Sequence, residues 1–241
     1  MTPMKTLFLS LAIITFGSRH VSAETFNFNP NLLVPDNGGS VSDSETISSS
    51  ITSIQSIKVT LNISPVLPGA ANAMINGDFW AYLQNSNGGG PNNAWLLNRI
   101  GTTDASQPTD AGNIGNGFAI TLFDSAPQDI HLAPNPNGAL PGGTLTGNWQ
   151  PDARNTSPDS VTQGDLRSSF LSVFNNQSAS GNWALFIGDA SQGGGVAKVD
   201  SWSLEFTGVP EPTEWAAISG IALLGFGIWR KKRLTDSSVQ V

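Results

Sequence analysis

Three aspartates at the ends of apolar runs are the residues best suited to hold a cation. Asp78, Asp124 and Asp189 each adjoin a Gly or Ser where a predicted strand begins or ends. Ca²⁺ prefers carboxylate oxygens completed by loop carbonyls. The pattern suggests a calcium site, and calcium is the one cofactor the residues point to. The more ordinary role for aspartates in such places is to cap a turn.

Nucleophilic catalysis of the subtilisin type needs a Ser, a His base and a carboxylate. After the first 23 residues the only histidine is His131, and no G-x-S-x-G or Gly-Thr-Ser box is present. There is no H-E-x-x-H motif for a catalytic zinc, and no pair of carboxylates stands out for glycoside hydrolysis. We therefore expect no enzyme, and interpret His131 as a strand residue with an exposed tip.

Tryptophans in the central region offer a second kind of site, a face on which sugars stack. Two of them fall at alternating positions of strand-like segments and are predicted to fill the core instead. These two are Trp183 and Trp202. The candidates for the sugar face are Trp80, Trp95 and Trp149.

Composition narrows the possible partners. Residues 24–212 carry five Lys or Arg and 16 Asp or Glu, a net charge of −11. A surface this negative repels nucleic acid and anionic lipid, which leaves cations, neutral polymers such as polysaccharide, and basic proteins. The absence of cysteine excludes cysteine catalysis and thiolate metal sites.

The strands that hold these residues are predicted from the alternation of apolar and polar side chains. Ile57–Ile63 places its aliphatic residues on one face and Lys58, Thr60 and Asn62 on the other. Similar segments recur without helices between them, which predicts an all-β, antiparallel β-sandwich. The further predicted strands are Gly77–Asn85, Trp95–Arg99, Phe118–Phe123, Asp129–Leu132, Leu145–Pro151, Gly181–Asp189 and Val199–Phe206.

Three local expectations complete this outline. The last two strands, separated by a glycine-rich turn, are predicted to form a hairpin. Asp165–Phe174 is predicted to be helical, because Leu166, Phe170 and Phe174 fall on one helical face. The segment 24–44 is expected to consist mainly of turns.

The N-terminus has the pattern of a secretory signal. Lys5 precedes the apolar run Leu7–Phe16, and Val21–Ala23 supplies the small residues that signal peptidase accepts. The prediction is a helical signal peptide over 1–23, handled by the Sec translocon and cut between Ala23 and Glu24. The alternative is an uncleaved anchor helix.

The C-terminus has the pattern of a short membrane segment. Trp215–Trp229 contains no charged residue and is followed by a basic cluster, which favours the cytoplasmic side. At ~1.5 Å per residue its 15 residues span ~22 Å, which is short for a permanent anchor. We predict a transmembrane helix over 213–229 and a cytoplasmic tail over 234–241. The membrane stop comprises Arg230, Lys231, Lys232 and Arg233.

A short proline motif precedes this segment. Two prolines flanking a Glu are expected to end a strand and stay extended. The motif consists of Val209, Pro210, Glu211 and Pro212. Together with the apolar segment and the basic cluster it resembles the PEP-CTERM sorting signal of Gram-negative bacteria, over 209–233. The resemblance implies processing by an exosortase; the alternative is an ordinary single-span anchor.

The region between these ends, 24–208, resembles the P domain (P/Homo B domain) of kexin- and furin-like proprotein convertases. The resemblance covers about 33–206 and implies a jelly-roll β-sandwich. The residues that carry it are Val34–Asn37, Ile57–Ile63, Gly77–Phe79, Leu96–Arg99, Phe123–Ala126, Leu171–Asn175, Gly181–Leu185, Asp189 and Val199–Leu204.

These observations predict an inner-membrane-anchored precursor that faces the periplasm and matures at the cell surface or in the extracellular matrix. Its sandwich is expected to bind or organise extracellular polymer, such as exopolysaccharide, or protein, without catalysis and without nucleic acid. Two alternatives remain open: an accessory domain for a separately encoded serine endopeptidase, and a lectin-like carbohydrate-binding module.

Overall fold

The computed structural model describes residues 21–36, 38–67, 74–86, 92–107, 109–134, 142–192, 195–210, 220–226 and 228. These residues form ten strands and three short 3-10 helices, and residues 220–226 and 228 are helical. The strands are β1 Ser22–Phe28, β2 Leu32–Val34, β3 Ser40–Ile47, β4 Ile51–Pro65, β5 Phe79–Asn85, β6 Asn92–Asn98, β7 Phe118–Leu122, β8 Leu145–Trp149, β9 Gly181–Asp189 and β10 Ala197–Pro210. The 3-10 helices are Asn76–Asp78, Ile130–Leu132 and Leu171–Phe174.

The strands form two sheets, so the all-β prediction is confirmed. One sheet has the order β1-β10-β4-β7-β8, with β2 also paired to the start of β10, and the other has the order β3-β9-β5-β6. Every strand pair is antiparallel except β7 with β8, which is parallel. The wholly antiparallel prediction was therefore wrong at this edge, because the long connection from β7 to β8 lets the chain return in the same direction.

The core lies between the inner faces of the two sheets. In β4 the four aliphatic residues of Ile57–Ile63 are at most 2% exposed, as their alternation predicts. Trp183 of β9 and Trp202 of β10 are likewise buried, and Trp183 meets Phe206 with ring centroids 5.0 Å apart. The prediction that these two tryptophans fill the core is confirmed.

The last two strands do not form a hairpin. β9 pairs with β3 and β5, whereas β10 pairs with β1, β2 and β4 in the other sheet. Each strand carries large apolar residues on one face, and those faces meet across the core rather than side by side. Alternation reveals which face is buried but not whether two strands are neighbours in one sheet or face each other.

The predicted helix over 165–174 was also wrong, except for its last turn. Leu171–Phe174 forms a 3-10 helix, while Leu166 is 81% exposed. Residues 163–165 form a turn and a bend, and Arg167 pairs with Arg154 in an isolated bridge. The Arg167 guanidinium also donates to the carbonyls of Pro151 and Asp152. These tertiary hydrogen bonds outweigh the local helical pattern.

Segment 24–44 also differs from expectation, because it contains three strands rather than mainly turns. β1 pairs with β10 along its whole length, and β3 pairs with β9 from Ser40 to Ile47. Both strands lie at sheet edges and alternate exposed polar residues with partly buried ones. Few of their residues are apolar, which hides the strand period in the sequence.

Candidate functional site

Two of the three predicted cation ligands lie together at one end of the β3-β9-β5-β6 sheet. Phe79 of β5 is paired with Asp189 of β9, so Asp78 lies beside Asp189, and the amide of Ala190 donates to the Asp78 carbonyl at 2.9 Å. A side chain at Gly77 would collide with the Ala111 carbonyl, so only glycine fits immediately before Asp78. The Gly-Asp dipeptide thus places a carboxyl where the two strands meet.

Both carboxyls are buried, and burial changes their acidity. Asp78 is 4% exposed and Asp189 is 0% exposed. Desolvation raises the pKa of Asp78 to about 6, with Arg99 opposing the rise. Desolvation also raises the pKa of Asp189 to about 7, and the charge of Asp78 adds to that rise. The pair therefore gains or loses protons near neutral pH.

Arg99 is the counter-charge of this pair, and sequence reasoning assigned it no role. Its Nη2 lies 3.6 Å from Asp78 Oδ1, and its Nε donates to the Gly77 carbonyl at 2.6 Å. Arg99 has a φ of +53°, so the chain turns sharply after β6 to bring this side chain back. Asp189 Oδ1 accepts from the Ser191 amide at 3.0 Å, while Asp189 Oδ2 has no hydrogen-bond partner among the described residues.

A cleft of about 550 Å³ opens beside the pair and is lined by Asp78, Arg99, Asp110 and Asp159, among others. Of the pair, only Asp78 lines the cleft, and Asp189 is buried behind it. An ionised Asp78 would attract a cation, with loop carbonyls supplying further oxygens. Among the described residues, no group of three His, Cys, Asp or Glu side chains is arranged to hold a metal ion. Any calcium bound here would depend mainly on main-chain oxygens.

Asp124, the third predicted ligand, is not part of this pair. Its two carboxylate oxygens accept from the amides of Leu171 and Ser172 at 3.0 and 2.7 Å. It thus caps the start of the 3-10 helix that begins at Leu171. The structure therefore does not bring Asp124 together with the other two aspartates, and it gives the Asp124 carboxylate the capping role that was the alternative to a calcium ligand.

His131 is buried rather than exposed at its tip, and it lies in a 3-10 helix rather than a strand. Its Nδ1 is 2.7 Å from Asp152 Oδ2, and its Nε2 is 2.8 Å from the Thr102 carbonyl. Burial lowers the pKa of His131, but the hydrogen bond and charge of Asp152 outweigh it, so that the pKa is raised. Both ring nitrogens face acceptors, so the ring is best satisfied as a cation that donates twice.

Sequence reasoning missed the ionic network behind His131. Arg154 donates to Asp152 Oδ1 at 3.1 Å and to Asp129 Oδ2 at 3.0 Å, and Arg167 Nε lies 3.4 Å from Asp129 Oδ2. These residues come from three segments outside the ten strands, near 129, 152–154 and 167, where neither spacing nor period signals that the segments meet. The His–Asp pair belongs to this buried network, and in the part of the chain that the structure describes the other ring nitrogen of His131 meets the Thr102 carbonyl rather than a hydroxyl.

An aromatic cluster lies on the outer face of the same sheet, and we call it the aromatic platform. It consists of Trp80 and Tyr82 of β5, Trp95 of β6 and Phe186 of β9, all partly exposed. Ring centroids are 4.8 Å apart for Tyr82–Phe186, 5.4 Å for Tyr82–Trp95 and 5.9 Å for Trp80–Tyr82. Two of the three candidate sugar-stacking tryptophans therefore lie together.

The third candidate, Trp149, lies apart from the platform at the end of β8 in the other sheet. It is 9% exposed, and its Nε1 donates to the Thr146 carbonyl at 3.0 Å. Tyr82 and Phe186 were missed by sequence reasoning. The available signal was their alternation with buried residues in β5 and β9, which places them on the outer face.

The predicted processing residues lie at the edges of the described structure. Ala23 and Glu24 are in β1, opposite Thr207 and Phe206. β10 extends through Val209 and Pro210, two residues beyond the predicted domain end, and Pro210 is its last residue. Residues 1–20, Glu211, Pro212 and the basic cluster 230–233 lie outside the described residues. Among the residues that are described, no helix has the length and apolar character needed to cross a membrane.

Comparison with known proteins bears on residues 142–206, which match the family model of the proprotein convertase P-domain. This confirms the P-domain resemblance over β8, β9 and most of β10. Among solved structures, a serine protease of Aeromonas sobria is similar at 12% identity, with a TM-score of 0.38, over 78% of this chain and 27% of that chain. The chain thus spans about a quarter of that protease. No curated protein matches it.

Proposed function

We propose that this chain is an exported, non-catalytic P-domain-type protein that is sorted to the cell surface or extracellular matrix through its C-terminal tail. The observation that carries the proposal is the order of three features: Val209–Pro212, the uncharged segment Trp215–Trp229, and the basic cluster Arg230–Arg233. β10 ends at Pro210, so the first two motif residues form the end of the last strand and Glu211 and Pro212 come directly after it. A protease at the membrane surface would meet it without unfolding the core.

Processing at the N-terminus is compatible with this fold. Cleavage between Ala23 and Glu24 would remove two residues of β1 and leave the pairing from Glu24 to Phe28 against β10. Glu24 is further held by Ser50, whose amide and hydroxyl both donate to its carboxylate. The proposed route uses the Sec translocon, signal peptidase and then an exosortase, with the inner membrane as a temporary anchor.

The non-catalytic part of the proposal is supported by His131. Both of its ring nitrogens are engaged by acceptors, Asp152 and the Thr102 carbonyl, so the ring has no free lone pair with which to accept a proton from a nucleophile. The P-domain resemblance additionally implies a jelly-roll path for the two-sheet fold. We attribute to the domain a binding or structural role toward extracellular polymer.

The sorting proposal is tested by mass spectrometry of both termini in wild-type cells and in cells lacking exosortase. We expect a mature N-terminus at Glu24 and, in wild-type cells only, a C-terminus near Pro210–Pro212. A matched variant, Glu211→Ala, should retain the tail in wild-type cells, whereas Glu214→Ala outside the motif should not. Detection of a cytoplasmic protein with both original termini would contradict the proposal.

A second candidate function, assistance to a separately encoded serine endopeptidase, is favoured by the match of residues 142–206 to the proprotein convertase P-domain. In this case the domain would stabilise or target a protease in trans. Affinity capture of the protein from the culture fluid should then recover a protease, and the recovered protease should lose thermal stability when the protein is removed. Recovery of no protease activity would count against this candidate.

A further inference from the structure

We propose that the aromatic platform is a binding surface for neutral polysaccharide. This inference rests on the proposed function, because such polymers lie outside the cytoplasm, and it assigns the surface that meets them. The platform occupies the outer face of the β3-β9-β5-β6 sheet, opposite the core face that carries Leu83, Trp183 and Ile187. Its rings do not contribute to the core between the sheets, so their clustering calls for another explanation.

The rings form a row across three neighbouring strands. Phe186 is paired with Tyr82, and Tyr82 is paired with Trp95, so one ring from each of β9, β5 and β6 lies in register. Two strand spacings of about 4.8 Å give a row ~10 Å long, about the length of two linked pyranose rings. Such a row suits an extended chain molecule better than a compact ligand.

The rings of the platform pack against one another. Tyr82 lies within 11° of parallel to Trp80 and within 17° of parallel to Phe186. The Trp80 indole covers β9 at Gly188, where a Cβ would come within 2.6 Å of its Cζ2. Glycine at this position therefore lets the indole rest against the sheet backbone. Packing of this kind fixes the rings before any ligand arrives, which reduces the entropy lost on binding.

The charge distribution around the platform indicates a neutral ligand. The residues of β3, β5 and β9 that share this outer face are uncharged, and the platform is flanked by Ser42, Ser44, Gln84 and Asn93. This neutral face lies on a domain whose net charge is −11 over residues 24–212. Acidic polymers and nucleic acids would be repelled by the surrounding surface.

The polar neighbours favour sugar over protein as the occupant. A pyranose presents C–H groups that stack on aromatic rings and hydroxyls that exchange hydrogen bonds with amides and serines at the rim. Thr46 and Asn182 extend this polar rim, with the Thr46 hydroxyl donating to Asn182 Oδ1 at 2.8 Å. The only aliphatic residue on the face along β9 is Ala184, whereas the centre of a protein–protein interface is usually rich in larger apolar side chains.

The test is affinity electrophoresis of the purified full-length protein in gels containing neutral polysaccharides (hydroxyethyl cellulose, xylan, galactomannan, dextran) or acidic ones (alginate, polygalacturonate). We expect at least one neutral polymer to retard the wild type. Trp95→Ala should weaken that binding about threefold or more, and Tyr82→Ala combined with Trp95→Ala about tenfold or more. Tyr82→Phe, which keeps the ring, should bind like the wild type.

The control is Thr60→Ala, on the outer face of the other sheet, which should leave binding unchanged. Circular dichroism in the aromatic region establishes that each variant is folded. A second measurement needs no variant: the polymer that retards the wild type should reduce the quenching of its tryptophan fluorescence by acrylamide. The inference is overturned if no neutral polymer retards the wild type, if only acidic polymers do, or if the platform variants bind normally. It is also overturned if sedimentation finds a self-associated protein that the platform variants dissociate. None of these results depends on the termini measured in cells.

Discussion

At the scale of single residues, the unusual feature is a pair of buried carboxyls with one arginine beside Asp78. Asp78 and Asp189 bear raised pKa values because burial disfavours their charged forms, and Arg99 only partly offsets this for Asp78. Asp189 Oδ2 has no hydrogen-bond partner among the described residues. Ionisation of the pair therefore costs stability unless a cation binds.

Replacing Asp189 with Asn tests this reasoning. At pH 8 and without divalent ions, Asp189→Asn should raise the free energy of unfolding by about 1–3 kcal/mol, because it removes a buried charge and keeps an acceptor for Ser191. At pH 5, where the carboxyl is already protonated, the change should be small. Denaturant titrations at both pH values measure the difference, and equal effects at both would contradict the assignment.

If the pair binds calcium, the bound ion should increase the stability of the ionised wild type at pH 8. Addition of Ca²⁺ at pH 8 should then raise the thermal midpoint of the wild type, and Asp189→Asn should abolish that rise. Asp124→Asn serves as the matched control, since Asp124 caps a 3-10 helix elsewhere, and it should keep the response to Ca²⁺. A wild-type midpoint that does not change with Ca²⁺, measured by calorimetry, would remove calcium from this site.

At the scale of elements, side-chain hydrogen bonds decide conformations that local pattern does not. Asp124 lies 47 residues before Leu171 and accepts from its amide, and Arg167 fixes the segment before Leu171 by donating to the Pro151 carbonyl. Trp202 of β10 donates from Nε1 to Asp43 Oδ2 of β3 at 2.7 Å, which joins the two sheets directly. The sandwich is thus held by specific polar contacts as well as by apolar burial.

The helix cap is tested by Asp124→Ala, which leaves two amide groups without their acceptors. The free energy of unfolding should fall by about 1 kcal/mol, with a range of roughly 0.5–2 kcal/mol for lost caps. Asp159→Ala, at an exposed position, should change it by less than about 0.5 kcal/mol. Chemical denaturation of both variants measures the comparison; equal losses would argue against the capping role.

The contact between sheets is tested by Trp202→Phe. This substitution keeps an aromatic ring in the core but leaves the partly buried Asp43 carboxylate without its donor, so a loss of about 1–3 kcal/mol is expected. Asp43→Asn retains an acceptor oxygen and should lose less. If Asp43→Ala, which removes the acceptor but leaves the indole in place, kept the wild-type stability in urea, packing rather than the hydrogen bond would be the dominant effect at Trp202.

At the scale of the whole molecule, the shifted groups give a common pH dependence. Asp78 and Asp189 have folded pKa values above the ordinary 3.8, so their contribution is greatest at low pH and is lost as pH rises to about 6 and 7. The raised pKa of His131 acts in the same direction, because its contribution is complete below 6.5 and is lost as the pH rises through its folded pKa. Asp110 and Asp165 have lowered pKa values in the folded protein, so their stabilising contribution is present above about pH 4 and is lost as the pH falls below it.

The free energy of unfolding should therefore be highest near pH 4–5 and decrease toward pH 8 when no cation is bound. Urea denaturation at half-unit pH steps measures this curve. Asp189→Asn should flatten the decrease, whereas Asp200→Asn, on the surface beside Lys198, should leave its shape unchanged. A wild-type curve that rises from pH 5 to pH 8 would contradict the assignment of the buried carboxyls.

The sequence determined the all-β class, most strand positions, the buried tryptophans and the residues that carry the P-domain resemblance. It did so because a strand that buries one face must alternate, as Ile57–Ile63 and Gly181–Asp189 do, and alternation is readable without neighbours. The tertiary structure decided which strands are partners, which aspartates meet and which aromatics share a face. β9 and β10 entered different sheets, Asp124 separated from Asp78 and Asp189, and Tyr82 joined Trp95, because register across strands is fixed by contacts between distant segments that no local pattern records.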